Sequence, residues 1–200
     1  MTVEYEPKDT FPEVSVSQRT ALWVMLGLVV FYVAVFFAFL LPDKPSLLEL
    51  GAGFVFASML LVLSYIDLRT GFLPDKLTLP LILLGVGYAH FVEGDVLLSI
   101  LGAGLGYGLV ATLSFSWKRW RGYEGIGLGD AKLLAACGAW TGILSLPVIL
   151  LVASALGLLG ALGVSQKARS AGEHVAIPFG PCLAFAGWAV WCGFEVFIAL

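Results

Sequence analysis

Two aspartates, Asp67 and Asp130, carry the chemistry this chain is equipped to do. Each stands where an apolar run long enough to enter a bilayer meets a short polar segment. An ionisable group in that position is expensive and marks function. Two carboxylates brought to one site cannot both ionise easily. One keeps a proton near neutral pH, and the pair then offers an acid and a base. The base activates a water for attack on a peptide carbonyl, the acid protonates the carbonyl oxygen, and the roles reverse as the amine leaves. This chemistry needs water and calls for no metal and no cofactor. The pair titrates as a unit, so the sequence assigns the proton to neither aspartate. Gly127 and Gly129, just before Asp130, leave the backbone bare for close approach of a substrate strand.

Plainer readings stand beside these. An aspartate at a helix end is commonly a cap or an interfacial charge, and Gly-x-Gly-Asp alone is commonly a turn. Asp75, after Leu73-Pro74, is placed to N-cap the helix that follows. Lys132 either snorkels to the headgroups or tunes the charge of the pair. His174 reads as a solvated loop histidine. Glu49 and Glu195 fall toward the opposite face and are poor partners for the aspartates.

The elements that must position the pair are membrane helices. The 200 residues are 60% hydrophobic and 12% charged, against about 45–50% and 25% in soluble domains. Apolar runs over residues 21–41, 46–66, 77–92, 96–117 and 177–200 predict spans, Pro80 falling in the first turn of the third. Residues 133–166 carry no charge and are too long for one span. A break over residues 142–147 predicts two short helices in a hairpin. Gly102, Gly104, Gly106 and Gly108 predict a face of small residues for close helix packing. Residues 42–45, 67–76, 118–121 and 166–174 read as turns or polar loops, the basic one at 118–121 serving as a lipid-headgroup anchor. Residues 1–20 form an acidic tail, and the first run reads as a retained span rather than a cleaved signal. Cys137, Cys182 and Cys192 form no CxxC pair and read as small buried hydrophobes.

Charge bias sets the orientation. With seven spans and the N-terminus in the cytoplasm, ten of the eleven Lys and Arg fall inside, and only Lys44 lies opposite. The positive-inside rule favours that arrangement. Asp67 and Asp130 then share the cytoplasmic face. The expected fold is all-α, a polytopic transmembrane bundle of about seven spans.

Three blocks resemble the type IV prepilin peptidases, GxGD-type intramembrane aspartic proteases: Tyr65-Ile66-Asp67 with Leu73-Pro74-Asp75-Lys76-Leu77-Thr78-Leu79-Pro80, then Gly127-Leu128-Gly129-Asp130-Ala131-Lys132, then Ile177-Pro178-Phe179-Gly180-Pro181. They occur in the family's order, and the likeness covers roughly residues 50–195. The resemblance implies that Asp67 and Asp130 are the catalytic pair. It brings Gly127, Gly129, Lys132, Pro74, Asp75, Pro178, Gly180 and Pro181 in as substrate-binding or supporting residues. It implies removal of the leader of a prepilin or pseudopilin at the cytoplasmic face of the plasma (inner) membrane, in type IV pilus or type II secretion systems. The expected partners are that substrate's leader and N-terminal helix, and membrane lipids, with no nucleic acid. The chain then divides into the tail at 1–20, an extra helix and turn at 21–45, and a peptidase-like membrane domain at 46–200. Bifunctional members carry a zinc-binding cytoplasmic domain between the first two spans, associated with N-methylation. Here that interval is the short 42–45 turn, which implies cleavage without methylation and without zinc. The alternatives are a catalytically silent pilin-binding assembly factor and a carboxylate-dependent transporter.

Overall fold

The computed structural model describes residues 18–40, 46–121, 127–169 and 178–194. Seven α-helices stand among them: α1 (Gln18–Leu40), α2 (Leu47–Thr70), α3 (Asp75–Tyr88), α4 (Val96–Arg121), α5 (Leu128–Thr141), α6 (Leu146–Arg169) and α7 (Gly180–Ala189). No strand occurs among the described residues. Three helical stretches, Leu47–Thr70, Val96–Trp120 and Ile143–Gly160, are long and apolar enough to cross a membrane. The acidic tail up to residue 17, the 42–45 turn, the start of the glycine loop at 122–126, His174, Ile177 and Glu195 lie outside the described residues.

α5 is the centre of the bundle. From Ala131 to Trp140 every residue but Lys132 is buried. At 14 residues it is about 21 Å long, shorter than the hydrocarbon layer, and it is wrapped by α3, α4 and α7. Small residues let α4 come close. A Cβ on Gly106 would meet the Leu134 carbonyl oxygen at 2.8 Å, and one on Gly102 would strike the backbone of Gly138. Ser99 Oγ donates to the Ala139 carbonyl at 2.6 Å on the same seam. The predicted glycine face is therefore halved. Gly104 and Gly108 look into open space, because residues two apart on a helix point to different sides. Gly106→Val should destabilise the protein by about 1–3 kcal/mol through overpacking. Gly104→Ala should be neutral or slightly stabilising, since alanine is the better helix former. Thermal unfolding in detergent checks both.

The far end of α5 is fixed by aromatic rings. Trp140 stacks on Phe56 of α2 at 4.5 Å between centroids and on Tyr88 of α3 at 5.4 Å. Its Nε1 donates to the Leu81 carbonyl at 2.9 Å. Trp188 of α7 stacks on Tyr32 of α1 at 5.3 Å, and Phe31 stacks on Phe185 at 3.7 Å, which seats α1 on the bundle.

Several expected boundaries shift. α2 runs through Asp67 to Thr70, so the expected 67–76 loop shrinks to residues 71–74. Gly71 ends it in the left-handed region at φ 64°, its N–H capping the Asp67 carbonyl at 2.8 Å. Ser46 and Glu49 form a reciprocal capping box at the start of α2, which gives Glu49 a structural task. α3 begins at Asp75, making Pro80 its sixth residue rather than part of its first turn. Asp75 does not N-cap α3; Pro74 holds that position. Lys118 to Arg121 continue α4 as helix instead of forming a loop, and Trp120 is 85% exposed there. The break after α5 falls as expected at Gly142, whose φ is 78°, but α6 is 24 residues long and not short. The last apolar run is not one continuous α-helix: α7 passes into a wider turn at Val190–Phe194, with Gly193 at φ 87°. All three cysteines are free, Cys137 buried and Cys182 and Cys192 only partly so.

Candidate active site

At the other end of α5, away from the rings, three helix termini converge. Asp67 sits in the last turn of α2 and is 5% exposed. Asp130 sits in the first turn of α5 and is half-buried. The two carboxyl groups, 63 residues apart in the chain, are close enough for their charges to interact.

Asp67 is held from α7. The backbone N–H of Gly180, the first residue of α7, donates to Asp67 Oδ2 at 3.0 Å. A helix N-terminus presents unpaired N–H groups and a partial positive charge, which together suit a carboxylate. Gly180 must be glycine for this: a Cβ there would lie 2.5 Å from Asp67 Oδ2 and 2.8 Å from its Cγ. Pro181 follows in the first turn of α7, where its missing N–H is not needed, and Pro178 lies just outside the helix.

Asp130 is held from the loop that follows α2. Gly127 is the N-cap residue of α5, and its carbonyl accepts the Asp130 N–H at 3.2 Å. Gly129 packs on Leu73, where a Cβ would come within 3.1 Å of Leu73 Cβ. Leu73 is buried, and Pro74 after it is the N-cap residue of α3. Lys132 is engaged by a carboxylate other than Asp67 and Asp130. Its Nζ pairs with Asp75 Oδ1 at 2.5 Å.

The structure thus brings Asp67, Asp130, Gly127, Gly129, Gly180 and Pro181 to one place and sets Pro74, Asp75 and Lys132 on its flank. Sequence reasoning did not place Cys182 near this site; it stands in the first turn of α7, two residues after Gly180, and is partly exposed. Its place two residues after Gly180 was the available signal. Leu73 was also missed, since an apolar residue in a short loop gives no sign of what it packs against.

The type IV leader peptidase family matches residues 54–162, which include both aspartates. A prepilin leader peptidase/N-methyltransferase of Dichelobacter nodosus is 39% identical over 170 residues, covering 84% of this chain and 57% of that protein. Proteins of the same name from Xanthomonas campestris pv. campestris and Neisseria gonorrhoeae are 44% and 42% identical, over 68% and 69% of this chain and 47% of each relative. The chain therefore spans about half the length of the curated relatives it matches. No solved structure matches it.

Proposed function

We propose, for a chain that belongs to the type IV leader peptidase family, that Asp67 and Asp130 form the catalytic dyad of an intramembrane aspartic endopeptidase. The observation that carries this is that the two carboxyl groups come within electrostatic range at one end of the bundle, one of them gripped by the first N–H of α7. The ionised carboxylate takes a proton from a water, and the hydroxide oxygen bonds to the scissile carbonyl carbon. The protonated carboxyl gives its proton to the carbonyl oxygen. The resulting diol collapses, the C–N bond breaks, and the amine leaves with a proton returned by the dyad. Burial of Asp67 excludes bulk water and strengthens each electrostatic interaction in the step.

The substrate is the leader and N-terminal helix of a prepilin or pseudopilin. The reading is supported by the names of the relatives and by a site placed at the ends of apolar helices. In this reading the protein is a multi-pass protein of the plasma (inner) membrane with about seven spans. The N-terminus and the dyad lie on the cytoplasmic side, as the bias of Lys and Arg favours. The basic end of α4, with Lys118, Arg119 and exposed Trp120, rests among lipid headgroups there. Co-expression with a candidate prepilin should shift the precursor to a shorter band; absence of the shift with every pilin-type precursor of the same genome would overturn the reading.

Cleavage proceeds without N-methylation. Only residues 41–46 separate α1 from α2, and the sequence holds no CxxC pair for a zinc domain. Mass spectrometry of the product made by this protein alone should show an unmodified new N-terminus. An added methyl would refute this part while leaving the dyad intact.

A further inference from the structure

One ion pair crosses the mouth of the site. α2 ends at Thr70, the chain turns within residues 71–74, and α3 starts at Asp75, so this hairpin straddles the first turn of α5. On one flank Asp130 comes within electrostatic reach of Asp67 on α2. Side chains two residues apart on a helix point to opposite flanks. On the other flank, accordingly, Lys132 Nζ meets Asp75 Oδ1 of α3 at 2.5 Å. Between them, buried Leu73 packs on Gly129. Residues 67–75 therefore grip the start of α5 at three points.

The pair is not there for bulk stability. The Lys132 and Asp75 side chains are 26% and 52% exposed, and exposed pairs add little to the free energy of folding. Their leverage is positional, because a displacement of about 1 Å at reacting groups can cost about 10²-fold in rate. We propose that the Asp75–Lys132 ion pair is the positioning clamp of the dyad, holding the first turn of α5 against the α2–α3 hairpin so that Asp130 stays within reach of Asp67. The proposal rests on the reading of those two aspartates as the catalytic pair. Neither clamp residue touches the reacting atoms.

A charge swap tests it. Asp75→Lys and Lys132→Asp should each lower kcat for prepilin cleavage by about tenfold or more, with KM changed far less. The double variant carrying both should recover most of the loss. A second readout needs no activity. Cysteines placed at 67 and 130, with Cys137, Cys182 and Cys192 changed to alanine, are oxidised in membranes and the rate of disulfide formation is followed. Each single charge variant should change that rate and the swap should restore it. Unchanged kcat and unchanged cross-linking in the single variants would overturn the clamp, as would a folded swap variant that recovers neither. If the wild-type protein cuts no prepilin but cross-linking follows the charges, the clamp stands and the peptidase reading fails.

Discussion

Asp67→Asn and Asp130→Asn should each lower prepilin cleavage by at least roughly 10²–10⁴-fold, the range that a positioned acid or base contributes. Both variants should remain in the membrane at normal abundance. Asparagine keeps the size of the side chain and can still accept the Gly180 N–H, so the clamp from α7 onto position 67 survives in Asp67→Asn. It cannot ionise or hold the shared proton. The proposed dyad has two tasks, taking a proton from water and giving one to the carbonyl oxygen, and a lone carboxyl cannot do both in one step. The double variant should therefore be little worse than either single one, because residues that act as a unit lose their function together. Band-shift assays on co-expressed prepilin, with the enzyme quantified in the membrane fraction, measure all three. Normal processing by either single variant would sink the dyad.

Much of this site could be read in the sequence because its parts sit on short local motifs. Asp67 closes an apolar run and Asp130 opens one, and the break at Gly142 follows from an uncharged stretch too long for one span. What could not be read is contact across the fold. Gly180 lies 113 residues from the Asp67 oxygen that its N–H donates to. Lys132 lies 57 residues from Asp75. Nothing in periodicity reports such pairings. Helix ends were also misplaced for a local reason. Polar residues such as Asp67, Arg69 and Thr70 suggest a loop, but the helix continues until Gly71 supplies a left-handed turn. Thr70 sustains that last turn by donating from Oγ1 to the Ile66 carbonyl at 2.8 Å. Lys118 and Arg119 likewise remain helical, since charged residues are good helix formers once water is reached. The burial of α5 on all sides was hidden too, because a helix apolar all round reads the same whether it faces lipid or protein.

Gly180→Ala should be nearly as damaging as loss of an aspartate, although it removes no polar group. The added Cβ would stand 2.5 Å from Asp67 Oδ2, 2.8 Å from Cγ and 3.2 Å from Cβ, so it meets the whole carboxyl group rather than the tip of a flexible chain. Asp67 is buried in the last turn of α2 and has little room to retreat. Either its carboxyl swings away, losing the 3.0 Å bond from the Gly180 N–H and its approach to Asp130, or the start of α7 moves off and takes Cys182 with it. The first displaces a reacting group and the second strips Asp67 of the N–H that holds it; a shift of about 1 Å at that carboxyl should lower cleavage about 10²-fold. The α7 core should hold, because Leu183, Ala184, Ala186 and Trp188 stay packed beyond the first turn. Gly104→Ala is the control for a glycine that faces open space, and it should cut at the wild-type rate. Single-turnover cleavage of prepilin, alongside thermal unfolding of each variant, separates the two. A Gly180→Ala protein that cleaves normally would show that α7 does not hold Asp67 during catalysis.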